Sequence, residues 1–176
     1  MWPLGDGTEE PLSKAEIVAS SLVELCKDTS SMFLKGLLGE DVSTASQALI
    51  EPVNLEVLLF ALHLTDRLTF VHLRSGERAL FMEALLPAVK RLLRPPLDAN
   101  LADLYNVRQQ FYGGFAKLCP DGDDSLKGTL FWEFGKALAA VYADYNPVAA
   151  TLTSAAGMDL LKLINEVLLS TGIIRG

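Results

Sequence analysis

Arg108 stands in the middle of an apolar stripe. In the segment LYNVRQQFYGGF (104–115), Leu104, Tyr105, Phe111, Tyr112 and Phe115 fall on one side of a helix, with Arg108 among them. A guanidinium cannot shed its proton, and burying it unpaired is very costly, so an inward-facing Arg108 requires an anion. Asp66 is the leading partner. It lies in line with Leu55, Leu59, Leu62 and Leu73 on a second apolar segment. Two opposite charges, each on an apolar face, account for one another. Glu133 is the second choice, although it points away from the stripe of its own helix. Tyr105 and Tyr112 flank Arg108 by about one turn on either side and can offer hydroxyls or stack on the guanidinium.

Two chemistries are open to such a group. One is a buried ion pair that sets helix register. The other is an interhelical pocket in which Arg108 holds a small anion or carboxylate, Asp66 and His63 handle protons, and Tyr105 and Tyr112 orient the ligand. The remaining alternative sends Arg108 to solvent along its aliphatic stem.

Other chemistries find little to stand on. His63 and His72 share a helix but point in roughly opposite directions, so they cannot hold one metal together. A di-iron bundle wants Glu-x-x-His on two helices, and the chain has no such pair. The loop DGDDSLKGTLFWE opens like a calcium loop at Asp121, Asp123 and Ser125, but Leu126 and Trp132 occupy the positions where glycine and glutamate are needed. There is no nucleophile elbow and no glycine-rich phosphate loop. Cys26 and Cys119 lack metal-ligand spacing and read as two free buried thiols of a cytoplasmic protein. No metal, cofactor or catalytic set is expected.

The elements that must position Arg108 are helices throughout. LSKAEIVASSLVELCKD opens on a capping-box pair, Ser13 and Glu16, and helix continues or resumes to Gly39. Residues 1–11 read as a loose arm, and DVSTASQALI as a weak helix or loop. Residues 54–74, capped by Asn54, are apolar around most of the circumference, which marks a central helix. Glu56, His63, Arg67 and Arg74 form its narrow polar strip, read as solvated or as part of an interface.

A helix then runs from Ser75 to Pro95, kinked at Pro87, and another from an Asp98 cap to Leu118, weakened by Gly113 and Gly114. The next, up to Tyr145, carries a stripe of Phe131, Phe134, Leu138, Val141, Tyr142 and Tyr145. Asn146-Pro147 restarts the chain, and Gly157 is expected to divide the last helical stretch in two. The sum is an all-α protein over residues 1–176, a single bundle of six or seven helices around the segment 54–74.

Net charge is −7, which argues against nucleic acid and anionic membrane surfaces. No run of about 18 apolar residues lacks charges, so no membrane span is expected. The N-terminus has neither a basic region nor an apolar run, and does not read as a signal peptide. Half the residues are hydrophobic and mean hydropathy is +0.28, an apolar excess that points to a subunit interface. The helix 129–145 is the leading interface for a homodimer: Trp132, off the aromatic stripe near Lys136, is either a contact for another chain or covered by neighbouring helices, and alanines such as Ala140 on the same helix would admit a partner backbone. The expected function is therefore non-catalytic protein–protein contact, with the small-anion site as the alternative.

Overall fold

The computed structural model of the chain describes residues 9–38, 47–95, 100–118, 126–142 and 147–175. They form α1 (Glu9–Leu38), α2 (Gln47–His72), α3 (Ser75–Leu92), α4 (Leu101–Gly113), α5 (Leu130–Tyr142) and α6 (Pro147–Ser170), with no strand among the described residues. The all-α bundle is as the periodicity implies. Asp98, Cys119, the acidic loop 121–125, Tyr145, Asn146 and residues 1–8 of the expected arm lie outside the described residues.

α2 touches each of the other five helices. Val53, Val57, Phe60, Ala61, Leu62 and Leu64 are all fully buried, on successive sides of the helix, so no single partner could cover them. Among the described residues, only this helix is long and apolar enough to cross a membrane by length and composition. Most of that apolar surface is covered by the rest of the bundle, while Phe70 and Val71 near its end are exposed.

Several boundaries differ from expectation. α1 begins at Glu9, so residues 9–11 are helix rather than arm, and Ser13 and Glu16 fall inside it. α2 begins at Gln47 rather than at Asn54 and contains Pro52. A proline in the second turn removes only one backbone bond, while Leu49 and Ile50 gain contact with the core. α3 contains Pro87 and ends at Leu92, short of the expected Pro95. α4 ends at Gly113, several residues before the expected Leu118, where two successive glycines withdraw helix propensity.

α6 runs unbroken through Gly157, which the sequence suggested as a divider. Its lack of a side chain serves packing instead. A Cβ there would lie 2.9 Å from Phe131 Cδ1 and 3.1 Å from Phe134 Cδ1. Those rings, both on α5, belong to an aromatic cluster around Phe60 of α2. Phe60 stacks on Phe134 with centroids 3.9 Å apart, and meets Tyr112 and Phe131 edge-on at 5.1 and 6.2 Å. Cys26 is buried, and that burial pushes its thiol well up, which fits the inert thiol expected of it.

Candidate functional site

The polar strip turns inward at Glu56 and His63, while Arg74, past the end of α2, is exposed. Glu56 and His63 are each only 3% exposed, although a strip of this kind was expected to meet solvent or a partner. Their spacing of two turns keeps them on one line of the helix, with Arg67 one turn further. α4 lies along that line and brings Arg108, Gln109 and Tyr112 to it.

Arg108 is paired with Glu56, not Asp66. Its Nε and Nη2 donate to Glu56 Oε2 at 3.0 and 2.6 Å, and the Tyr112 hydroxyl donates to Glu56 Oε1 at 2.6 Å. Asp66 is engaged elsewhere: Arg78 of α3 donates from Nε to Oδ1 at 2.8 Å and from Nη2 to Oδ2 at 2.6 Å. The expected Asp66–Arg108 pair therefore does not form. Asp66 sits about 15 Å further along α2 than Glu56, too far for one guanidinium to serve both. Glu133, the second choice, holds Lys136 at 2.8 Å.

Gln109 ties the Asp66–Arg78 pair to His63 and Tyr105. Its side-chain carbonyl is bonded to His63 Nδ1, and its amide nitrogen donates to the Tyr105 hydroxyl and, at 3.3 Å, to Asp66 Oδ2. With the amide nitrogen facing the carboxylate, the network assigns the His63 proton to Nδ1. Nε2 is then a buried acceptor without a hydrogen-bond partner among the described residues. Arg67 closes the far end of the seam by donating to the carbonyls of Phe115 and Ala116 at 2.7 and 2.9 Å, just past the end of α4.

Enclosure sets the electrostatics of the seam. Burial lowers the His63 pKa, and the Arg67 charge adds to that, while the Gln109 bond and Asp66 oppose it. His63 is thus held neutral at pH 7. Burial raises the Tyr112 hydroxyl well above its ordinary value, reinforced by the Glu56 carboxylate it touches. Burial likewise pushes Tyr105 up to about 12. The bond to Asp66 raises Arg78. Both hydroxyls stay protonated at neutral pH: Tyr112 donates to Glu56, and Tyr105 accepts from Gln109.

The five residues expected at a ligand site, Arg108, Asp66, His63, Tyr105 and Tyr112, do come together. They gather around two carboxylates rather than around one vacant pocket. Both oxygens of Glu56 and both of Asp66 accept bonds from protein donors, which leaves neither placed as a general base. Outside the seam lie two shallow grooves. One, of about 470 Å³, is bordered by Asp66, Arg78, Met82, Leu86, Tyr105 and Gln109. The other, of about 420 Å³, lies between α4 and α5 and is bordered by Arg108, Phe111, Lys136, Ala137, Ala140 and Val141. Among the described residues, no three His, Cys, Asp or Glu side chains are grouped to hold a metal.

Of the expected interface set, Trp132 is buried, because its neighbours cover it. Its apolar ring is shielded in the bundle rather than presented to another chain. Lys136 is half-buried on Glu133, and Ala140 is exposed on the α4/α5 groove. Glu56, Gln109, Arg78 and Arg67 are the further members of the seam that helical periodicity did not assign. For Glu56 and Arg67 a signal existed, since they share the spacing of His63 on an otherwise apolar helix. No family model matches the chain, and neither a curated protein nor a solved structure matches it.

Proposed function

We propose that the chain is a non-catalytic helical bundle of the cytoplasm that works by protein–protein contact, associating with a second copy of itself through the α4/α5 groove. The observation that carries this reading is the apolar surface left on α4: Phe111 is 40% exposed and Val107, one turn earlier, 60%. Across the groove, Ala137 and Ala140 leave room for a partner helix to approach closely. The charges on this face support it. Arg108 and Lys136 are each neutralised by a carboxylate within the chain, so docking against them strands no unpaired ion.

Sedimentation velocity across a dilution series from high to low micromolar tests the proposal. The chain sediments as a dimer at the upper end and dissociates on dilution. Phe111→Asp and Ala140→Arg each shift it to monomer without lowering its melting temperature. A monomer at every concentration, or a dimer indifferent to both substitutions, contradicts the reading.

A further inference from the structure

We propose that the cleft enclosed by α1, α2 and the end of α3 binds a small apolar molecule carrying a carboxylate head. The cleft holds about 270 Å³ and is bordered by Val23 and Cys26 of α1, by Leu55 and Leu58 of α2, and by Leu92 and Leu93 at the end of α3. Its lip includes Leu92, 48% exposed, an apolar side chain that the fold leaves beside the opening. Concave apolar walls with a few convergent polar groups are the usual make-up of a small-ligand site.

The polar rim gives the head group its chemistry. Lys27, Asn54 and Arg94 border the cleft, together with Glu51. Lys27 is bonded to Glu24 at 2.7 Å, and Glu51 has a partner of its own. By contrast, among the described residues the side chains of Asn54 and Arg94 have no hydrogen-bond or ion-pair partner. The internal arginines differ: Arg108 and Arg78 are engaged with carboxylates and Arg67 with carbonyls. A guanidinium with its planar fork unengaged matches a carboxylate through two parallel bonds, and the Asn54 amide can add a donor to the same head. Because Lys27 is already paired with Glu24, Arg94 is the rim cation left to meet a carboxylate among the described residues. The leucines receive an alkyl or aryl body and shed their water in doing so. The site is separate from the α4/α5 groove, so its occupancy does not depend on self-association.

Hexanoate is the probe, titrated into the full chain and followed through the ¹H–¹⁵N resonances of the Asn54 side-chain amide and the methyl resonances of Leu58. Saturable shifts confined to the cleft are expected. Arg94→Gln, a surface change that leaves the melting temperature unaltered, weakens binding about tenfold, as the loss of one charge-assisted pair implies. Hexan-1-ol binds correspondingly weaker. Linear, unsaturating shifts, or an affinity unchanged by Arg94→Gln, overturn the proposal. Equal affinity for the acid and the alcohol overturns the carboxylate assignment.

Discussion

α2 is held on two sides by different means. Toward α4 it presents Glu56, His63, Asp66 and Arg67, each fixed by a bond of definite direction. Toward α5 and α6 it presents Phe60 to Phe131 and Phe134, closed by Gly157, where fit alone decides. The polar side specifies which residues meet, since a misplaced carboxylate would leave a buried guanidinium alone. The aromatic side stabilises by area and close contact and tolerates no added atoms. One helix thus takes register from its charged strip and stability from its rings.

Removing a ring from the apolar side gives the largest expected loss. Phe134→Ala deletes a fully buried stacked ring and should destabilise by about 3–5 kcal/mol in urea unfolding. A loss under about 1 kcal/mol would show that the stack on Phe60 is replaceable.

Next comes the polar side. Glu56→Ala strands Arg108 and the Tyr112 hydroxyl and should cost about 3 kcal/mol, at the lower end for a buried pair because Arg108 keeps 33% of its side chain in solvent. The paired change Glu56→Leu with Arg108→Met removes both charges and should cost less than Glu56→Ala alone. If a double-mutant cycle finds the two losses simply additive, the pair does not specify register.

Gly157→Val tests fit without touching a charge. Its Cβ would press on Phe131 and Phe134, and overpacking of this kind costs about 2 kcal/mol. Neutral behaviour would mean that α6 can slide and that the aromatic side is looser than the distances imply.

His63 links the polar side to pH. Its folded pKa lies below the ordinary 6.5, so the unfolded chain takes the proton first. Stability from a neutral His63 is complete above about pH 6.5 and falls as pH drops through that value toward the folded pKa. Between about pH 7.5 and about pH 5.5 the wild type should lose more stability than His63→Asn does. Equal slopes would remove the imidazole from the account. Last, Lys162→Ala breaks an exposed pair with Asp159 on α6 and should change stability by less than about 0.5 kcal/mol, the reference for a charge that belongs to neither side.

The seam shows where helical periodicity succeeds and stops. Arg108 was recognisable as a cation among apolar neighbours, and the need for a buried anion came from its fixed charge. The choice of anion did not. Asp66 broke an apolar line and attracted notice. Glu56 lay in a tidy polar strip, the usual sign of solvent exposure, and so passed for surface. Gln109 carried no charge to mark it, yet it bridges His63 and Asp66. Trp132 stayed open between a partner contact and burial, because a wheel shows which side a residue occupies and not whether another helix covers that side. Gly157 has low helix propensity, which suggested a break, while its value here lies in the space it leaves for two rings.

Composition and period alone determined an all-α bundle with the segment around residue 60 at its centre, because a helix apolar on every side has nowhere else to go. They determined too that Arg108, if turned inward, must find an anion. Which carboxylate, which strip of α2 turns inward, and which grooves remain open were decided by the tertiary structure. Those choices depend on distances between helices remote in sequence, and helical periodicity places side chains around one axis without relating that axis to any other.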